Sequence, residues 1–185
     1  SYYDPTIGEN IEDLIQENTK VIFMESPGSL TFEVQDIPAI CKVAKKHNIV
    51  TIVDNSWASG IYFKPFDHGV DVVVTAVTKY INGHSDVMMG AITIREEHFL
   101  VMYEAFRYMA VTAAPMSSYL AQRGLRTMKI RMDHCFKSAL EMAKWLEKRP
   151  EVEKVFYPAL ESDAGHELWK RDFTGAAGIF TIMLD

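Results

Sequence analysis

The sequence predicts an α/β fold, a mostly parallel sheet flanked by helices, on three observations. Short apolar runs of strand length, Val21–Met24, Ile49–Val53 and Asp71–Val77, recur through the first half. A helical pattern lies between the first two of them, which makes a strand-helix-strand unit with parallel strands and a right-handed crossover. Beyond Arg95 the spacing turns helical over long stretches and only then returns to strands, the pattern of a smaller α+β domain that begins near the end.

Taken in order, Val21–Met24 is the first strand and Pro27-Gly28 the turn after it. Asp36 is the N-cap of a helix that carries Pro38 in its first turn, where proline costs no hydrogen bond. Ile37, Ile40, Cys41 and Ala44 share one face of that helix, and Lys42, Lys45 and Lys46 take the water side. His47-Asn48 leads into the strand Ile49–Val53; Asp71–Val77 is a further buried strand, and Met88–Ile94 follows the breaks at Gly83 and Gly90. Phe99, Tyr103, Phe106 and Arg107 fall at helical spacing, and Pro115 opens a second helical run. From Leu120 through Leu125, Met128, Met132, Phe136, Leu140 and Ala143 to Leu146 an apolar stripe continues to the stop at Arg149-Pro150, with methionines as core filling. Gly124 interrupts the stripe, and the pattern admits either a kink or a boundary between two helices. Val152–Tyr157 and Gly178–Leu184 read as strands, the second with nothing after it to return and pair. The division expected is 1–125 for part of a large domain and 126–185 for a connecting helix and the start of a C-terminal domain. Ser1-Tyr2-Tyr3-Asp4-Pro5 reads like the interior of a longer chain, so a fragment is expected.

Composition narrows the function classes. Hydrophobic residues make up 48% and charged residues 24% of 185, the balance of an ordinary globular protein, and no apolar stretch reaches membrane-spanning length. A net charge of -6 argues against a nucleic-acid partner, which calls for a basic face. Cys41 and Cys135 form neither a Cys-x-x-Cys pair nor a disulfide framework, as in a reduced compartment, and the cytoplasm is the expected location. No Gly-x-Gly-x-x-Gly follows any strand, which disfavours a nicotinamide-binding domain.

Two strand ends carry the chemistry. Lys79 follows the strand Asp71–Val77, and Asp54 closes the strand Val50–Val53. Each alone is ordinary: a strand-end lysine is a solvated charge, and acids commonly end parallel strands. Together they are informative, because parallel strands bring both to one carboxyl edge, where open α/β folds bind ligands. An amine that must lose its proton to become a nucleophile, beside a carboxylate that can keep a pyridine nitrogen protonated, suits pyridoxal 5'-phosphate (PLP). His84 with Asp86 has chelating spacing, yet no third ligand cluster accompanies it, so a hydrogen-bonded loop and no metal is expected. His166, Glu167 and Asp163 read as a capped loop.

Four ordered segments, Glu25-Ser26-Pro27-Gly28, Asp54-Asn55-Ser56-Trp57-Ala58, Thr78 through Asp86 and Arg123-Gly124-Leu125-Arg126-Thr127, resemble the PLP-dependent enzymes of cysteine and methionine metabolism, which have the fold type I, transferase-like architecture. Ser26 through Asp36 and Gly165 through Gly175 resemble the cystathionine β-lyase branch. The resemblance implies that Lys79 forms the Schiff base with the cofactor, that Asp54 pairs with its pyridine nitrogen and that Thr78 contacts its phosphate. Ala76 stands where many relatives have Ser, Ser56 where Thr is commoner, and Ser29 where other branches place Asn. The implied reaction is β-elimination of cystathionine, a small sulfur amino acid, to homocysteine, pyruvate and ammonia in methionine biosynthesis. The alternatives are a γ-lyase, γ-synthase or methionine γ-lyase of the same family, or a catalytically silent fragment with a role in assembly. The family's phosphate loop and ring-stacking tyrosine lie upstream of these residues, and its substrate-carboxylate arginine lies downstream. Family members are homo-oligomers, dimers of dimers that share active sites, so this stretch alone is expected to bind PLP poorly.

Overall fold

A computed structural model describes residues 1–185. Four strands form the main sheet in the order β1 (Val21–Glu25), β2 (Val50–Asp54), β3 (Val72–Ala76) and β4 (Gly90–Ile94). The first three are parallel and β4 runs antiparallel to β3, so one antiparallel edge closes an otherwise parallel sheet. Glu25 pairs with Asp54 and Asp54 with Val74, which fixes the carboxyl edge of the three parallel strands at one level.

Helix α1 (Ile37–Lys46) is the crossover between β1 and β2. Asp36 accepts a hydrogen bond from the backbone N–H of Ala39 at 3.2 Å, the N-cap read from sequence, and Ile37, Ile40, Cys41, Val43 and Ala44 are buried. Lys42, Lys45 and Lys46 are exposed. Alternate residues of β1 and β2, among them Ile22, Met24 and Val53, join α1 in a single core that also takes in Met128, Met132, Tyr157, Leu160 and Phe173. A short 3-10 turn, Gly8–Leu14, contributes Ile11 to that core; the residue pattern carries no sign of it.

Helix α2 (Phe99–Tyr108) is followed by α3 (Pro115–Leu125) and α4 (Met128–Leu146). Of the two readings open at Gly124, kink or boundary, the structure makes a boundary: the helix breaks at Arg126–Thr127, where Thr127 takes φ -110 and ψ 1. Beyond α4, β5 (Val152–Phe156) and β6 (Thr181–Leu184) form a second, two-stranded sheet around α5 (His166–Asp172). The last strand therefore does have a partner, contrary to the expectation from sequence. It lies upstream, with Phe156 opposite Thr181 in an antiparallel ladder. No helix is long and apolar enough to cross a membrane.

Candidate active site

The carboxyl edge of the parallel strands opens on a cavity of about 870 Å³, within the range of small-molecule sites. Its walls come from the loop after β1 (Ser29), the loop after β2 (Ser56, Trp57), the turn after β3 (Thr78, Lys79) and the first turns of α4 (Arg131, His134).

Lys79 stands in a single wide turn, Val77–Ile81, with φ -93 and ψ -112. Its carbonyl accepts from Gly83 N at 2.7 Å, and Asn82 N donates to Val77 O at 2.9 Å, so the turn is closed by its own backbone. The Lys79 side chain is exposed to the cavity and its amine enters no hydrogen bond or ion pair of the protein. A lysine held at a strand edge with no acid on its amine is available to react with a carbonyl.

Asp54 ends β2, half-buried, and one of its oxygens accepts from Ser56 N at 2.8 Å. It is not itself in the cavity wall. Its register partner Glu25 and Ser56, two residues on, both are. Ser56 Oγ accepts from Ala76 N at 2.7 Å, which ties the end of β3 to the loop after β2 and leaves the hydroxyl proton uncommitted. Thr78, read from sequence as a phosphate contact, does line the cavity, but its hydroxyl is engaged with Met89. It donates to Met89 O at 3.2 Å and accepts from Met89 N at 2.9 Å.

Three buried polar atoms have no partner in the protein: Asn55 Oδ1, Asn82 Oδ1 and Trp57 Nε1. Only 8% of Trp57 is exposed and it is part of the cavity wall. With a free lysine amine, an uncommitted serine hydroxyl and an acid one strand away, the donor set fits PLP.

His84 and Asp86 form the hydrogen-bonded loop expected. His84 Nδ1 meets Asn82 O at 2.7 Å, and Asp86 accepts from Asn82 Nδ2 at 2.8 Å, a bond that holds the Asp86 carboxyl below its ordinary range. The capped loop read from sequence at Asp163, His166 and Glu167 is only half right: Asp163 is in a loop, accepting from Gly165 N and Tyr157 N, but His166 and Glu167 are the first residues of α5, with His166 Nδ1 against Pro158 O. Burial raises Asp163 above the usual carboxylate range. The ligand-type side chains that do converge are Asp71, Glu97 and His98, with ligand atoms within 4.8 Å of one another at the opposite edge of the sheet. Sequence spacing holds no hint of them, because the antiparallel return of β4 brings them together.

Arg131, His134 and Trp57 are cavity residues that the sequence alone does not mark as site members. Trp57 sits inside the segment Asp54–Ala58 that carries the family resemblance, and Arg131 lies four residues beyond another such segment, Arg123–Thr127.

An α/β domain whose parallel strands end, side by side, in a carboxylate and in a turn that carries a lysine has the architecture of the fold type I PLP-dependent enzymes. The profile of the Cys/Met metabolism PLP-dependent enzyme family matches residues 1–185, and the chain belongs to that family. It is 53% identical over its whole length to an L-alanine/L-glutamate racemase of Wolbachia pipientis, covering 45% of that protein. To the cystathionine beta-lyase of Haemophilus influenzae it is 44% identical, covering all of this chain and 47% of the relative. Among solved structures, cystathionine gamma synthase from Xanthomonas oryzae superposes with a TM-score of 0.94 at 31% identity, over 98% of this chain and 47% of that one. The chain thus spans about half the length of the curated relatives it matches.

Proposed function

We propose that the protein to which this chain contributes is a PLP-dependent carbon-sulfur lyase that cleaves cystathionine by β-elimination. The observation that carries the reading is the unpartnered Lys79 amine in a cavity at the carboxyl edge of the sheet, the same edge at which Asp54 ends the neighbouring strand. When bound, PLP supplies an aldehyde that captures an amino acid's amine and a ring that draws electrons from its α carbon. Lys79 Nζ serves as the base that takes the α proton, a task suited to an amine free of any acid partner. The Asp54 carboxylate, oriented by its contact to Ser56 N, would hold a proton at the pyridine nitrogen of the bound cofactor. Ser56 Oγ is a donor left for acceptor atoms of the bound molecule, and Thr78, which lines the cavity, would be a second donor for the phosphate if its hydroxyl were released from Met89. Loss of the α proton and of the thiolate from the β carbon gives homocysteine, with pyruvate and ammonia after hydrolysis.

A second reading, amino-acid racemisation, is favoured by the racemase relative, whose identity to this chain exceeds that of the Haemophilus lyase. Both reactions begin with the same α-proton removal and diverge at the next step, which is either expulsion of a thiol or return of a proton to the opposite face. The test is made on the full-length protein loaded with PLP. Thiol and pyruvate released from cystathionine in equal amounts support the lyase. D-alanine formed from L-alanine without pyruvate supports the racemase and overturns the lyase. The cytoplasm and a homo-oligomer, a dimer of dimers, are part of the proposal, the first from the absence of a disulfide framework and the second from the family resemblance.

A further inference from the structure

The two residues beside Lys79 are each fixed to a different element. On the near side, Thr78 N donates to Met89 O at 3.1 Å, and the Thr78 hydroxyl doubles that tie to the strand-leading segment before β4. On the far side the Tyr80 carbonyl accepts from Arg131 Nη2 at 2.8 Å. The same nitrogen donates to Gly124 O at 2.9 Å, at the end of α3, and Arg131 Nε donates to Thr127 Oγ1 at 3.1 Å. The guanidinium therefore joins the lysine turn to the α3–α4 junction.

The surrounding backbone is shaped around this fork. Gly83 has φ +72, and a β-carbon there would overlap the Arg131 guanidinium. A β-carbon on Gly124 would overlap the Asn82 carbonyl, so α3 touches the turn directly. Two glycines thus make room for one arginine and one helix end against the five-residue turn that carries Lys79.

We propose that Arg131 is a positioning residue of this site, which sets the direction in which Lys79 enters the cavity. A lysine side chain has four free torsions, so the protein aims its amine chiefly through the backbone at its Cα. The peptide that follows Lys79 leads to the Tyr80 carbonyl, and a charged, rigid fork on that carbonyl holds the backbone more firmly than a neutral donor does. This rests on the assignment of Lys79 as the PLP lysine.

The test uses full-length protein with PLP, reduced by borohydride and peptide-mapped, with circular dichroism of the bound cofactor's visible band as a second readout. In wild-type protein the label is expected on Lys79. Arg131→Met is expected to lower the Lys79 label about tenfold, the factor matching one lost charge-assisted hydrogen bond, and to flatten the dichroic band. Arg131→Lys, able to reach one of the two carbonyls, should recover part of both signals. If Arg131→Met does not fold, Thr127→Val, which frees the Nε end of the fork and also removes the Thr127 hydroxyl's bond to Gly124 O, should weaken the dichroic band of the folded protein. A lowered melting temperature with Lys79 labelling and dichroism as in wild type overturns the inference and leaves the lyase reading standing. No label on Lys79 in wild type overturns both.

Discussion

The two edges of the parallel sheet treat their polar groups in opposite ways. At the amino edge Asp71 Oδ2 accepts from both the N–H and the hydroxyl of Thr51 at 2.8 Å, and Arg95 donates to Val70 O and Phe66 O at 2.8 and 2.6 Å. His98 approaches Asp71 to 3.8 Å. At the carboxyl edge Lys79 has no partner, Trp57 Nε1 is buried and unpaired, and a cavity separates the strands from α4. One edge is spent on stability, whereas the other keeps donors in reserve for a ligand. The comparison predicts that substitutions at the two edges change different observables.

The largest effect is expected at Lys79. Lys79→Ala in the full-length protein should abolish borohydride trapping of PLP and lower turnover by roughly 10²–10⁴-fold, with a melting temperature unchanged because no contact is lost. A clear drop in melting temperature would mean that the amine has a structural partner, and the contrast between the edges would fail. Next is Asp54→Asn, which keeps an oxygen for Ser56 N while removing the charge. Cofactor affinity, read from the titrated visible band, should fall by about 10- to 100-fold. Affinity equal to wild type would remove Asp54 from the site.

The amino edge should give the inverse result. Asp71→Ala strands the N–H and hydroxyl of Thr51, a residue only 1% exposed, and should cost about 2 kcal/mol of stability in urea unfolding. Lys79 trapping by the folded fraction should stay at the wild-type level. Reduced trapping at full occupancy of the fold would show that the two edges are coupled through β3.

This division also explains how much of the molecule is legible in the sequence. That Lys79 and Asp54 share one edge of the sheet is readable because each follows an apolar run, and parallel strands align such ends without further information. The Asp36 cap and the buried face of α1 come from local spacing in the same way. Arg131 is not readable, since its partner Tyr80 O lies 51 residues away and a backbone carbonyl leaves no side-chain signature. Gly124 is visible as an interruption, but its cause, the close approach of Asn82 O, is a tertiary contact. The partner of β6 is hidden because β5 lies upstream on the far side of α5, and nothing in either strand's own pattern specifies the other.

The smallest effect sharpens the comparison within the carboxyl edge itself. Asp36 caps α1 on the side where β1 ends, yet it lies outside the cavity and is paired: Arg171 Nη2 donates to Asp36 Oδ1 at 2.8 Å and Nη1 to Oδ2 at 3.2 Å. The Arg171 guanidinium holds the Asp36 carboxyl below its ordinary range. A carboxylate whose folded value is depressed adds stability that is present above its unfolded value and is lost as pH falls through the folded one. Asp36→Asn keeps the cap on Ala39 N and removes only the charge. Because 46% of the Arg171 side chain is exposed, solvent screens the pair and the variant should be less stable by about 0.5 kcal/mol at pH 7. Unfolding curves of the two proteins should converge as the solution is acidified below the usual carboxylate range. A gap that stays constant with acidification would assign the difference to packing at α1, while any change in Lys79 trapping would place Asp36 within reach of the site.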